Sequence, residues 1–236
     1  MVKIKLSKIF FLQKYILMSL DLAFYSGQII SFYGESGCGK TTLLNTIACR
    51  NDFLLKYYVN DQDILKMSDK DKKNYLFHHI GYVTQEPELL DDLTIRNHMK
   101  QISEIYQINM DTSKIINKLE IGKLLDKYPN QLSGGEKFRC ALLLCIMKNT
   151  DIILLDEPLT SFDVVVASEM KHLLLQMKED HILLFSTHVL QLATDLCDEI
   201  ILLNNGSLTL LDHDLLNSPD FEERVVEMLR DEEHVA

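Results

Sequence analysis

GESGCGKTT, residues 34–42, is the stretch on which the architecture turns. It fits the pattern G-x-x-x-x-G-K-[ST], with Gly34, Gly39, Lys40 and Thr41 in the fixed positions. In such a loop the backbone N–H groups and glycines wrap the phosphates of a nucleotide, and the lysine ammonium reaches the terminal ones. The flanks suit the motif. An apolar, β-prone run at residues 28–33 enters the loop, and Leu43, Leu44 and Ile47 follow at helical spacing. Strand, glycine turn and helix N-terminus therefore meet at one point, where the helix dipole and unpaired N–H groups favour an anion.

Upstream of the loop, the alternation of Val2, Ile4 and Leu6, and then of Leu20, Leu22 and Phe24, predicts two strands before a turn at Ser26 and Gly27. Downstream, residues 54–64 read as a hairpin turned at Asn60 and Asp61, and a polar helix opens at the cap Ser68. A short strand at residues 80–84 stops at Gln85 before Pro87. Helices with caps at Thr94 and Asp111 follow, with Ile95, Met99, Ile102 and Ile105 on one face and a break at Pro129.

Two further motifs come next. In LSGGE, residues 132–136, Ser133 is a helix cap with Glu136 three positions on, and Gly134 and Gly135 free the first N–H groups for close approach. Residues 151–155 form a buried strand that ends in Asp156 and Glu157. A carboxylate at that place is set to hold Mg²⁺, and its neighbour to orient an attacking water. A helix at residues 163–178 and a strand at 181–185 lead to Ser186, Thr187 and His188, whose imidazole is in reach of a γ-phosphate if the strand lies on the phosphate edge. A last hairpin turns at Asn205 and Gly206.

Length and composition fit this α/β reading. The chain of 236 residues is 47% hydrophobic and 25% charged, enough for a full core and ordinary for a soluble domain. Its net charge of −11 argues against a nucleic-acid partner. The acidic run from Asp220 to Glu233 reads as a solvated helix face. Five cysteines without C-x-x-C spacing predict reduced thiols, with Cys38 in the phosphate loop as a small filler. No apolar run reaches the ~18 residues of a membrane span, and no cleavable leader is expected.

Taken together, the motifs resemble those of the ATP-binding-cassette ATPases, the nucleotide-binding subunits of ABC transporters. The resemblance runs from about residue 2 to residue 211. It implies a P-loop NTPase fold: a RecA-like core with an antiparallel β subdomain (residues 1–86 and 138–236) and an inserted helical subdomain (87–137). ATP and Mg²⁺ are the implied cofactors. ATP would be held by Gly34, Glu35, Ser36, Gly37, Cys38, Gly39, Lys40, Thr41 and Thr42, with Phe11 stacking on adenine and Tyr15 as the alternative. Thr41, Gln85 and Asp156 would meet the metal, Glu157 would be the catalytic base beside Lys40, and His188 the switch histidine. Residues 161–163 correspond to the D-loop.

The same resemblance implies a head-to-tail homodimer with ATP held between one subunit's loop and the other's Ser133, Gly134 and Gly135. It also implies an integral membrane permease on a separate chain, which would hold the protein at the cytoplasmic face of the membrane. Glu136, Phe138, Leu144 and Val189 depart from the usual residues, yet none removes a group that hydrolysis needs. Residues 58–85 and 186–208 are similar to the macrolide, lipoprotein and antimicrobial-peptide export group. The expected function is thus ATP-driven export or membrane extraction of an amphiphile. The alternative is a mechanical ATPase driving a non-transporting membrane protein, as in cell division. A DNA-repair role fits poorly, because the chain between Gln85 and Asp156 is too short for long coiled coils.

Overall fold

The structure, a computed structural model, describes residues 3–9, 22–51, 54–59, 61–158, 164–179, 181–204, 207–211, 218 and 220–231. Two strands, β1 (Lys3–Ile9) and β2 (Leu22–Tyr25), pair antiparallel and lead to β3 (Ile29–Tyr33), the phosphate-type loop and α1 (Lys40–Ile47). Next come β4 (Leu54–Val59), β5 (Gln62–Asp63) and α2 (Asp69–His79). Asp61 adopts a left-handed φ of 63° at the expected turn between β4 and β5, and Ser68 caps α2 by accepting from Asp71 N.

The chain then forms β6 (Ile80–Val83), α3 (Ile95–Tyr106), α4 (Ser113–Lys118) and α5 (Gly134–Met147). It continues through β7 (Ile152–Leu155), α6 (Val164–Met177), β8 (Ile182–Thr187), α7 (Leu190–Leu196), β9 (Glu199–Asn204), β10 (Ser207–Leu210) and α8 (Phe221–Asp231).

These strands make two sheets. The larger runs β10-β9-β3-β8-β7-β6, parallel except for the antiparallel edge strand β10. Its inner strands IISFY, IILL and ILLFST are almost wholly buried, as continuous apolar runs must be when helices cover both faces. One face packs on α5 and α6, the other on α1 and the smaller antiparallel sheet β2-β1-β4-β5. Phe24 and Phe32 join the two sheets edge to face at 6.3 Å. All parallel strands end at the same edge, which brings the segments after β3, β6, β7 and β8 together.

Three local expectations change. Ile105 is 58% exposed, because at 3.6 residues per turn the inward position after Ile102 falls on Tyr106, which stacks on Phe77 at 4.2 Å. Asp111 sits one residue before the N-cap Thr112 and closes the turn by accepting from Ser113 N at 2.9 Å. The acidic C-terminal helix α8 is more than a solvated face: Phe221 and Val225 are buried against β9 residues Ile200 and Leu202. Asn205, Gly206, Phe11, Tyr15 and residues 161–163 lie outside the described residues.

Candidate functional site

The loop after β3 is shaped by its glycines. Gly37 and Gly39 hold φ of 83° and 110°, and a Cβ on Gly34 would stand 2.3 Å from the Leu203 carbonyl oxygen. Gly39 is the N-cap of α1 and has no side chain to cap it, so the first turn of that helix faces the loop uncapped. Lys40 is 5% exposed and lies back along the loop. Its Nζ donates to the carbonyls of Gly34 (2.8 Å) and Glu35 (2.9 Å) and stands 3.3 Å from Glu157 Oε1.

The strand-end carboxylates complete a closed network. Asp156 is 2% exposed, and its Oδ1 accepts from Thr41 Oγ1 at 3.0 Å and from Ser186 Oγ at 2.6 Å. Ser186 Oγ in turn accepts the Glu157 N–H at 2.8 Å. Glu157 has a left-handed φ of 48°, rare for a residue with a side chain, and its Oε2 lies 2.9 Å from His188 Nδ1. Ser186 lacks a place in any motif read from the sequence. The available signal is a polar Ser-Thr pair ending an otherwise apolar strand.

Hard cations take oxygen ligands, and an Mg²⁺ site needs only one or two carboxylates besides substrate phosphates and water. The Thr41 hydroxyl beside the Asp156 carboxylate supplies that donor set, and no described residue donates to Asp156 Oδ2. Gln85 is exposed beyond the end of β6 and makes no hydrogen bond to Thr41 or Asp156. Cys38 is half-buried, and burial pushes its thiol above the ordinary value although Lys40 pulls the other way. It is accordingly a thiol that fills the loop. An open cleft of about 610 Å³ adjoins the loop, lined by Gly34, Glu35, Ser36 and His188 and by Val226 and Leu229 of α8.

The second motif stands apart. Ser133 Oγ accepts from Glu136 N at 3.3 Å, and Glu136 Oε2 accepts from Ser133 N at 2.8 Å, a complete capping box. The Ser133 backbone N–H holds the Glu136 carboxyl below its ordinary value. Ser133 and Gly134 are exposed, and a Cβ on Gly134 would meet nothing within 4 Å. No hydrogen bond joins this turn to residues 34–42 among the described residues.

A family model described as ABC transporter matches residues 17–160. This chain belongs to the ABC transporter family. It is the nucleotide-binding cassette of that family, with the α/β P-loop NTPase fold. Among similar proteins are the sulfate/thiosulfate import ATP-binding protein CysA of Pectobacterium atrosepticum and the macrolide export ATP-binding/permease protein MacB of a Shewanella species. The first is 32% identical over 80% of this chain and 59% of the relative. The second is 30% identical over 81% of this chain and 30% of the relative. The chain thus matches only part of these relatives' length, and they include both importers and exporters.

Among solved structures, a dimeric ATP-binding cassette in a post-hydrolysis state with ADP and Pi is 26% identical. It has a TM-score of 0.75, over 88% of this chain and 96% of that one. An ATP-binding subunit of an ABC transporter, 16% identical, shares the fold with a TM-score of 0.82 over 96% of this chain and 99% of that one. Among the described residues, no helix is long and apolar enough to cross a membrane.

Proposed function

We propose that the cassette binds ATP with Mg²⁺ at residues 34–42 and hydrolyses it between two copies of the chain, to drive a membrane permease carried on another polypeptide. The observation that carries this is the single network joining Lys40, Thr41, Asp156, Glu157 and His188 at the carboxyl edge of the sheet. Lys40, drawn from the loop carbonyls, neutralises the terminal phosphates. Glu157 accepts the proton of the attacking water, and His188, hydrogen-bonded to its second oxygen, keeps the carboxylate aimed. Thr41 and Asp156, with Gln85 moving in from its exposed position, would hold Mg²⁺, which when bound screens the charge of the phosphates. Phe11 is assigned to the adenine ring.

The turn at Ser133, Gly134 and Gly135, exposed at its first two residues, is the other half of the site. It presents a helix N-terminus to the γ-phosphate held by the second copy. Residues 87–137 act as a helical subdomain inserted in a core made of 1–86 and 138–236. The permease docks beside Gln85, where a groove of about 240 Å³ is lined by Arg50, Tyr82, Pro87, His98 and Lys148. Docking there keeps the protein on the cytoplasmic face of the membrane. The likeness of residues 58–85 and 186–208 to export-type ATPases supports outward movement or extraction of an amphiphile.

The test is ATP turnover by the purified chain, alone and with its reconstituted permease. Slow release of phosphate that the permease accelerates is the expected result, and a rate indifferent to the permease removes the coupling. Export is checked by loss of a labelled amphiphile from the ATP-facing leaflet of proteoliposomes. Uptake of solute toward ATP reverses the direction.

A further inference from the structure

Ser186 is fully buried at the end of β8, between the loop side of the sheet and the strand that carries the acidic pair. A buried hydroxyl has one donor and two acceptor sites. Here the donor goes to Asp156 Oδ1 at 2.6 Å and one acceptor site takes the Glu157 N–H at 2.8 Å. One oxygen atom therefore touches both the side chain of one acidic residue and the backbone of the next. Asp156 Oδ1 also accepts from Thr41, so with Ser186 the carboxylate is gripped from two sides and its plane is fixed.

The backbone contact matters as much. Glu157 lies at φ 48°, a conformation that persists only where the surroundings hold it. This backbone turn directs the side chain back to Lys40 and His188 and away from a continued strand. The N–H that Ser186 accepts belongs to that strained residue. Loss of the hydroxyl removes this acceptor where the turn is made.

We infer that Ser186 is a positioning residue for hydrolysis, one hydroxyl that sets both the metal-facing carboxylate Asp156 and the base Glu157. The inference rests on the proposed ATPase function and adds a residue to it. Ser186 touches neither nucleotide nor water in this role, so its removal acts on turnover and on metal affinity, with ground-state binding of nucleotide left in place.

The experiment compares wild type, Ser186→Ala and Ser186→Cys, the last keeping the side-chain shape with a larger atom and a weak donor, and uses Ser31→Ala as control. Ser31 is a buried hydroxyl on the neighbouring strand β3, and among the described residues it makes no hydrogen bond to Asp156 or Glu157. Steady-state hydrolysis should show kcat lowered by roughly 100-fold in both Ser186 variants, the scale of a misplaced reacting group. KM for ATP should stay within about twofold, the split that marks loss of an interaction made only in the transition state. Titration of Mn²⁺ into the ADP-bound protein, read by electron paramagnetic resonance, should show metal affinity about tenfold weaker, as for other groups that orient a ligand. Ser31→Ala should match wild type in both measurements.

An unchanged kcat in a folded Ser186→Cys protein overturns the inference, and so does an equal loss in Ser31→Ala, which would make the effect a general one of the sheet. Absence of nucleotide binding and hydrolysis in wild type overturns the ATPase reading, a result distinct from either.

Discussion

The carboxyl edge of the parallel sheet and the N-terminus of α5 are the two motif-bearing regions of the molecule, and they satisfy their polar groups in opposite ways. At the sheet edge, Lys40, Asp156, Glu157 and Ser186 are buried or nearly so and bond to one another. At α5, Ser133 and Glu136 satisfy each other across a single turn, with Gly134 exposed between them and Gly135 half-buried. A closed buried network resists change in any member. An exposed capping box leaves its helix N-terminus available to something outside the chain. The first region has the character of a site that performs chemistry, the second of a surface that completes a site elsewhere.

The hardest test of this contrast is at Glu157. Exchange for Gln keeps the size and the contact to His188 but removes the proton acceptor. Turnover is expected to fall by ~10²–10⁴-fold. ATP binding should persist, and ATP-linked dimers should build up in gel filtration. Fast turnover by that variant would break the assignment of the base. Lys40→Ala comes second. It removes a buried ammonium with three acceptors around it. Nucleotide affinity should weaken by roughly 10- to 100-fold, the scale of charge-assisted hydrogen bonds, as read by calorimetry. Undiminished affinity would mean that the loop does not hold phosphate.

How much was legible follows the same division. The strand–loop–helix at residues 28–47, the buried strand before Asp156 and the capping box at Ser133 all lie in short continuous stretches, and local pattern is enough to find them. Ser186 is different. Its importance comes from β8 lying beside β7 in the sheet, a pairing of residues 30 positions apart that no local pattern encodes. The Tyr106 stack on Phe77 is a contact of the same long-range kind. At the departure Val189 the side chain leaves α7 without a cap, and the backbone N–H donates to Thr187 Oγ1 at 3.0 Å; the structure offers no reason for valine at this position.

Gly134→Ala sharpens the comparison from the exposed side. The added methyl has free space in this chain, and alanine favours the first turn of a helix over glycine. The isolated protein should therefore be slightly more stable, with Tm raised by about 2 °C. If a second copy approaches this turn closely, the same methyl overfills the contact. ATP-linked dimerisation and turnover should then fall by roughly tenfold, with ATP binding by the monomer unchanged. Full turnover in this variant would show that nothing packs against the turn.

The smallest effect lies at Glu136, where the Ser133 N–H depresses the carboxyl below its ordinary value of 4.5. A depressed folded-state pKa contributes stability that is fully present above the unfolded value and is lost as pH falls through the folded one. The window is therefore below pH 4.5. Glu136→Gln retains an acceptor for the Ser133 N–H but has no charge to place at the helix N-terminus. The difference in Tm between wild type and variant should be constant from neutral pH down to about 4.5 and shrink below it. ATP gives the measurement its bearing on the site. If this helix end meets a phosphate held by a second copy, the Glu136 carboxylate stands near that anion, and its neutralisation should strengthen ATP-linked dimerisation at neutral pH while it weakens the isolated cap. Opposite signs for the two effects place the turn against the partner's nucleotide. Equal signs confine Glu136 to holding its own helix.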